Sequence, residues 1–346
     1  MTYEVRLAKE GEIPRQKEIW KLCFGDYDEY IDFFYSRRYR EDRTALLLQD
    51  GVIVSMLTMI PVQTVFPDYL ITKTAMLYAI ATHPACQKRG LATRLMDFAH
   101  EYLREFGTEF AVLVPAGKEL FDFYSKQNYR TGFYLREARL TLAEASRLGE
   151  DEERRLDKDE ASRLGEDKPP FGENVMICSS GALTPGEYNR RRESLLQNRL
   201  YIAYSETDIA CQKELSKATG ADIYGLDISS PELDINKPGL DIDSPSLNKL
   251  SGVGEIRGCF AAERISPNKV LVKELLIPED FLALAIREIV RRLPAQEYLI
   301  RTPPHLGKQM GGKLRSFGVF RALDENRGLE LLNADEGLGY LGFAFD

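Results

Sequence analysis

The chain has 346 residues, a formal net charge of −8, and an apolar-to-charged balance expected of a soluble globular protein of two domains. That acidic excess excludes an extended phosphate-tracking surface, so nucleic acid is not an expected partner, although a local basic turn can still hold one nucleotide. Five scattered cysteines with no CxxC pair, and only three histidines, point to neither a disulfide framework nor a metal centre.

The opening stretch MTYEVRLAKEGEIPRQ lacks the apolar core of a signal peptide, and no apolar run is long enough for a bilayer, so a cytoplasmic protein without membrane contact is expected. YEVRLA (3–8) alternates and predicts a first strand. IPRQKEIWKLCFG and YIDFFYSRRY then carry apolar residues at helical spacing. Asp50-Gly51 sits between two β-rich runs, the signature of a tight hairpin, and ITKTAMLYAIATH (71–83) reads as a central strand, apolar almost throughout. A helix from Leu91 with one apolar face stops at Gly107. FAVLVP (110–115) is a short buried strand, 118–126 a short helix and 129–142 a returning strand. The order predicts a mixed α/β sheet with helices on both faces, its fourth and fifth strands parallel through a crossover helix.

Between 143 and 170 the composition shifts to a charged stretch in which ASRLGED occurs twice, a duplication inside a solvated linker. LDISSPELDINKPGLDIDSPSL (226–247) repeats leucine every seven residues, but a proline interrupts each repeat, so it reads as a looped insertion or a short β-solenoid rather than a coiled coil. Thereafter GEIRGCFAAERI and KVLVKELLI predict paired strands, PEDFLALAIREIVRRL an amphipathic helix and EYLIRT a strand, echoing the first half without its basic turn.

That turn lies in THPACQKRGLATRLMDFAHEYL (82–103). A helix's first turn leaves N–H groups unpaired and carries partial positive charge, so an anion placed there collects several hydrogen bonds. Gly90 adopts backbone angles other residues avoid and Ala92 keeps the approach uncrowded. Lys88 and Arg89 add charge, and Thr93 offers a hydroxyl. An ordinary polar helix start has the same residues. No acid stands at the spacing a dinucleotide ribose requires, so a Rossmann reading fits less well. His83-Pro84 reads as a turn element rather than a titrating base.

AIATHPACQKRGLATRLMDFAHEYL resembles the fourth strand, Q/R-x-x-G-x-G/A acyl-CoA loop and following helix of the GCN5-related N-acetyltransferase (GNAT) family, with Gln87, Gly90 and Ala92 on the three defining positions. ELFDFYSKQNYRTGF is similar to that family's LYxxxGF stretch, Tyr124 standing at its tyrosine. The resemblance spans residues 3–142 and departs from the pattern where Asn128-Tyr129 replaces Gly-Phe and where VPAGKE lacks an asparagine often found after strand five. It implies a GNAT acetyltransferase domain over 1–142, the charged linker over 143–170, and a degenerate GNAT-like domain over 171–346 carrying the 226–247 insertion. It further implies that Gln87, Lys88, Arg89, Gly90, Leu91 and Ala92, with Thr93, hold the pyrophosphate of acetyl-CoA, and that backbone around Ile80, Ala81 and Thr82 pairs with the pantetheine arm. Tyr124 would protonate the departing thiolate, the alternative being a packing role on an aromatic helix. In the similar enhanced-intracellular-survival acetyltransferases, the C-terminal carboxylate reaches the active site, which makes Asp346 a candidate.

Asp26, Tyr27, Glu29 and Tyr30 join the first two helices, where carboxylates beside aromatic faces suit a cationic amine; equally, the acids solvate a helix start and favour its dipole. The resemblance thus implies an acetyl-CoA-dependent N-acetyltransferase, with direct attack by a primary amine of a small molecule or peptide. Transfer of another acyl or aminoacyl group, and a CoA-binding module without turnover, stand as alternatives. The role of the second half, completing the acceptor pocket, supporting a homo-oligomer or shielding the first sheet, stays open.

Overall fold

The structure, a computed structural model, describes residues 1–148, 176–178, 181–229, 255–323 and 338–343. Contacts divide the chain into two compact units: Met1–Val65 with Leu70–Phe133 and Phe317–Gly337, and Phe66–Tyr69 with Tyr134–Ser316 and Leu338–Asp346. The expected LDI insertion therefore lies outside the described residues except at 226–229, as does most of the expected linker.

In the first unit, β1 (Tyr3–Leu7) is followed by α1 (Ile13–Phe24) and α2 (Asp28–Arg37). Pro14 opens α1, where its missing N–H costs nothing, and Gly25 closes it at φ 72°, donating to Lys21 O. β2 (Thr44–Gln49) and β3 (Val52–Val65) form the expected hairpin. Its two turn residues, Asp50 and Gly51, both take positive φ (48° and 80°), which matches the twist of the paired strands. β4 (Ile71–Thr82), α3 (Leu91–Glu105), β5 (Phe110–Leu113), α4 (Lys118–Ser125) and β6 (Arg130–Thr141) follow in the expected order. A further strand arrives from far along the chain: β13 (Lys313–Ala322) pairs antiparallel with β5, Val319 opposite Leu113 and Ala322 opposite Phe110. The strand order in this unit is β1-β2-β3-β4-β5-β13, all antiparallel except β4 and β5. Leu91, Leu95, Ala99 and Leu103 recur at four-residue spacing on the buried face of α3. They meet Leu57, Leu77, Leu113, Val319 and Leu323 in one core.

In the second unit a helix over 142–148, here α5, continues from β6. The sequence places this stretch in the solvated linker. Ala145 is instead fully buried and Leu142 packs on the core, because apolar residues three apart give the segment a buried face that its charged neighbours mask. β7 (Met176–Cys178), α6 (Pro185–Leu195), β8 (Tyr201–Ala203), α7 (Glu206–Ala218) and β9 (Ile223–Ser229) come next. Ser205 and Asp208 cap α7 reciprocally. β10 (Glu255–Ser266) and β11 (Lys269–Leu276) pair antiparallel as expected. α8 (Leu282–Arg292) then leads to β12 (Glu297–Thr302), parallel to β11. Here the order is β6-β12-β11-β10-β9-β7. The run β10-β11-α8-β12 repeats the run β3-β4-α3-β5, but β11 enters its helix through Pro278 and a 3-10 turn whose Glu279 carboxylate accepts from the N–H groups of Gly307 (2.7 Å) and Gln309 (3.1 Å). Among the described residues no helix is long and apolar enough to cross a membrane, and no three His, Cys, Asp or Glu side chains are grouped to hold a metal ion.

Candidate active site

The site is built where β4 gives way to α3. β4 and β5 pair for only three residues, Thr74–Phe110, Ala75–Ala111 and Met76–Val112. Beyond Met76 the register of β4 against β3 slips between Met56 and Thr58, and Ala79 takes a φ of 50°, rare for a residue with a Cβ. The bulge turns the end of β4, so Ile80, Ala81 and Thr82 leave the parallel ladder. Ala81 and Thr82 stay paired with Met56 and Ser55 of β3. The Ser55 hydroxyl donates to Ala81 O at 2.7 Å, and Thr82 O accepts from the Cys23 thiol (3.3 Å) and the Gln87 amide (3.0 Å).

The turn that follows is a short 3-10 segment, Pro84–Cys86, capped by His83, whose Nδ1 accepts from Ala85 N at 3.3 Å. His83 is thus a turn element. The N–H of Gln87 is engaged by Pro84 O (3.4 Å), so Gln87 braces the turn with both side chain and backbone. Lys88 (φ 61°) and Gly90 (φ 73°) both take left-handed backbone on either side of Arg89, an alternation that directs successive N–H groups into one concavity. α3 then starts without a side-chain cap, its first intrahelical bond running from Arg94 N to Gly90 O at 3.1 Å, so the N–H groups of Leu91, Ala92 and Thr93 have no helical acceptor. Above Gly90 a Cβ would meet nothing within 4 Å. Lys88 and Arg89 are exposed, Arg89 folding back to donate to Ala85 O at 3.2 Å. An open, uncapped, positively flanked helix mouth beside a splayed strand fits a diphosphate with an extended amide-bearing arm.

Tyr124 lies in the core cluster that holds Leu77, Leu91 and Leu113. No described residue hydrogen-bonds its hydroxyl, and burial pushes its pKa up to about 12, so the phenol keeps its proton at neutral pH. The turn after α4 folds back on it: Gln127 N and Tyr129 N both donate to Tyr124 O, at 2.9 and 3.1 Å. Both residues of the Asn128-Tyr129 departure from the family pattern have a physical reason here. Asn128 takes φ 62°, a conformation asparagine tolerates nearly as glycine does. The hydroxyl that distinguishes Tyr129 from phenylalanine meets His100 Nε2 at 2.8 Å. Arg321 of β13 donates from Nη1 to His100 Nδ1 (3.2 Å) and Gln127 O (3.1 Å), and Gln127 donates to Thr93 Oγ1 at 3.2 Å. The sequence reading missed His100, Gln127, Tyr129 and Arg321. The available signal was the seven-residue spacing of Thr93 and His100, which puts them on one face of α3.

On the acceptor side the structure ties two of the four expected residues down. Asp26 accepts from Trp20 Nε1 at 2.8 Å, and the Tyr30 hydroxyl meets that of Tyr78 on β4 at 2.6 Å. Tyr27 is 82% exposed and Glu29 is exposed in the first turn of α2, while the neighbouring Asp28 pairs with Lys21 at 2.7 Å. Asp346 lies outside the described residues.

Residues 4–132 match the family described as the acetyltransferase (GNAT) domain. No curated protein matches the sequence. Among solved structures the chain is similar to a GCN5-related N-acetyltransferase from Anabaena variabilis (11% identity, 93% of this chain and 73% of that one, TM-score 0.63). It is also similar to one from Kribbella flavida (13%, 93% and 72%, 0.59) and to Eis1 from Mycobacterium abscessus (13%, 95% and 76%, 0.58). At these identities the likeness is one of fold. Residues 4–132 thus match the acetyltransferase (GNAT) domain family, and the chain is similar in fold to solved GCN5-related N-acetyltransferases.

Proposed function

We propose that the chain is an acetyl-CoA-dependent N-acetyltransferase in which a primary amine attacks the thioester directly within a ternary complex. The observation that carries this reading is the uncapped mouth of α3, with left-handed Lys88 and Gly90, set at the end of a strand that has left its parallel partner. The N–H groups of Leu91, Ala92 and Thr93, with those of Lys88 to Gly90, bind the diphosphate. Lys88 and Arg89 add charge, and the freed edge of β4 at Ile80 to Thr82 aligns the pantetheine arm. Acetyl-CoA supplies the activated acyl group. Backbone N–H groups polarise its carbonyl, Tyr124 holds a proton for the leaving sulfur, and much of the acceleration comes from holding amine and thioester together. Tyr27 and Glu29, with the carboxylate of Asp26 oriented by the Trp20 indole, support recruitment of an acceptor bearing a cationic amine, on a small molecule or peptide, and the attacking nitrogen gives its proton to solvent before it forms the amide bond.

Calorimetry of the full chain with acetyl-CoA and CoA, followed by release of free thiol against a panel of polyamines, aminoglycosides and peptides, tests the reading. Binding with amine-dependent thiol release is expected. Binding without release for any amine favours a CoA-binding module, release only with longer acyl-CoAs favours a different acyl transfer, and no binding removes the proposal.

A further inference from the structure

The polar network behind Tyr124 is more elaborate than packing requires. Arg321 is a donor only, so the His100 Nδ1 it contacts must carry a lone pair, and the imidazole is therefore the Nε2–H tautomer. Nε2 then donates to the Tyr129 hydroxyl. Tyr129 is almost fully buried, and its ring stands edge-on to that of Tyr124 with centroids 5.9 Å apart. His100 stays uncharged: burial, then Arg321 and Arg104, bring its pKa down to about 3. A histidine that cannot titrate near neutrality is not a proton carrier. It is a fixed dipole between a guanidinium and a phenol. The same Arg321 Nη1 also pins Gln127 O, and Gln127 reaches Thr93 in the first turn of α3. The segment that bears Tyr124 is thereby tied to α3 at two points seven residues apart and to β13 at a third.

We propose that Arg321, His100 and Tyr129 are positioning residues that hold the Tyr124 ring in the orientation its hydroxyl needs to reach the leaving sulfur, with Gln127 fixing that segment to the mouth of α3. Arg321 is supplied by a strand some 200 residues away in sequence, so the second half of the chain contributes directly to the geometry of the first unit's site. This inference rests on the acetyltransferase reading for its kinetic consequence but not for its structural one.

The test has two arms on the full-length protein. In the kinetic arm, Arg321→Met and Tyr129→Phe are each expected to lower kcat about tenfold or more, as a displaced catalytic group does, with the acetyl-CoA Kd by calorimetry within about twofold of the unsubstituted protein. Neither change should lower activity further in a Tyr124→Phe background, and Arg321→Lys, which keeps a charged donor nitrogen, should recover part of the loss. Losses that multiply with Tyr124→Phe, or that appear only in KM, overturn the proposal. Tyr129→Phe keeps the ring and so preserves the test should Arg321→Met not fold. In the second arm, spectra of the free protein with 13Cζ-labelled tyrosine should show a sharp Tyr124 signal that shifts or broadens in both variants, and 15N spectra should show His100 as the Nε2–H tautomer, unchanged from pH 5 to pH 8. A Tyr124 signal indifferent to both variants, or a His100 that titrates in that range, overturns the proposal. Absence of any amine-dependent thiol release in the unsubstituted protein would instead sink the acetyltransferase reading and leave the spectroscopic arm to decide the positioning role.

Discussion

Replacing Gly90 by alanine separates ligand binding from folding. The residue sits at φ 73°, where a Cβ costs about 1–2 kcal/mol of backbone strain, and a Cβ built there meets no atom within 4 Å, so no steric cost is added. For a unit of this size about 1 kcal/mol lowers Tm by roughly 2–4 °C, a small and measurable loss. The open space that makes the substitution cheap for folding is the space proposed for the diphosphate. A methyl group there, or a turn that relaxes to negative φ, withdraws one or two N–H groups from a charged acceptor at about 1.5–3 kcal/mol each, which weakens CoA binding by about 10- to 100-fold or more. Gly107→Ala is the matched control: it has φ 69° and an equally open Cβ position, at the far end of α3 roughly 22 Å away. Titration calorimetry with CoA, alongside thermal unfolding of both variants, should give similar Tm losses but a weakened Kd only for Gly90→Ala. Equal CoA affinity in the two variants would refute the argument that this turn holds the carrier.

Tyr124→Phe should cut kcat by about 10²- to 10⁴-fold with acetyl-CoA affinity retained. Because burial pushes the phenol's pKa up to about 12, the alkaline limb of kcat should show no loss assignable to Tyr124 below pH 10. His100 and His305 are both held neutral, with pKa values brought down from 6.5 to about 3 chiefly by burial. Between those values the unfolded chain binds protons that the native one does not, so stability is full above about pH 6.5 and falls as the pH drops toward 3. His305→Gln should flatten that slope in denaturant titrations at pH 4 to 7. Gly342→Ala, at φ 82° with its Cβ 2.6 Å from Arg192 Nη2 and 2.8 Å from Glu274 Oε1, strains the backbone and intrudes on a fully buried ion pair. It should destabilise by about 3–5 kcal/mol in urea unfolding. A chain cut after residue 142 loses Val319, Phe320 and Leu323 from the first unit's core, about 1.5–3 kcal/mol each against a total stability of about 5–15, and should give neither a cooperative thermal transition nor dispersed amide spectra.

The elements around the proposed cradle were legible because their signals are local. Asp50-Gly51 announces its hairpin by residue type, the strand 71–82 by its largely apolar character from Ala75 to Ala81, and α3 by four-residue spacing ended at Gly107. The bulge at Ala79 was not legible, since alanine gives no sign of positive φ and the slip is set by the ladder with β3. Nor was β13: its pairing with β5 joins distant residues, and no pattern within 313–322 names its partner. The His100 network shares that origin, because Arg321 reaches α3 only through the strand pairing. Gln87 carries a second contribution that its motif position does not announce: its side-chain amide and N–H brace the turn, through Thr82 O and Pro84 O.

The pairing of Leu113 with Val319 also governs when the protein can be finished in a cell. β5 leaves the ribosome about 200 residues before its partner is synthesised. At roughly 5–20 residues per second it waits about 10–40 s with one edge bare. Throughout that interval the nascent chain carries an unpaired hydrophobic strand, an open template for pairing with other chains. Translation speed and chaperone occupancy over this window should therefore set the yield of folded protein, and slowing elongation downstream of β5 should lower it.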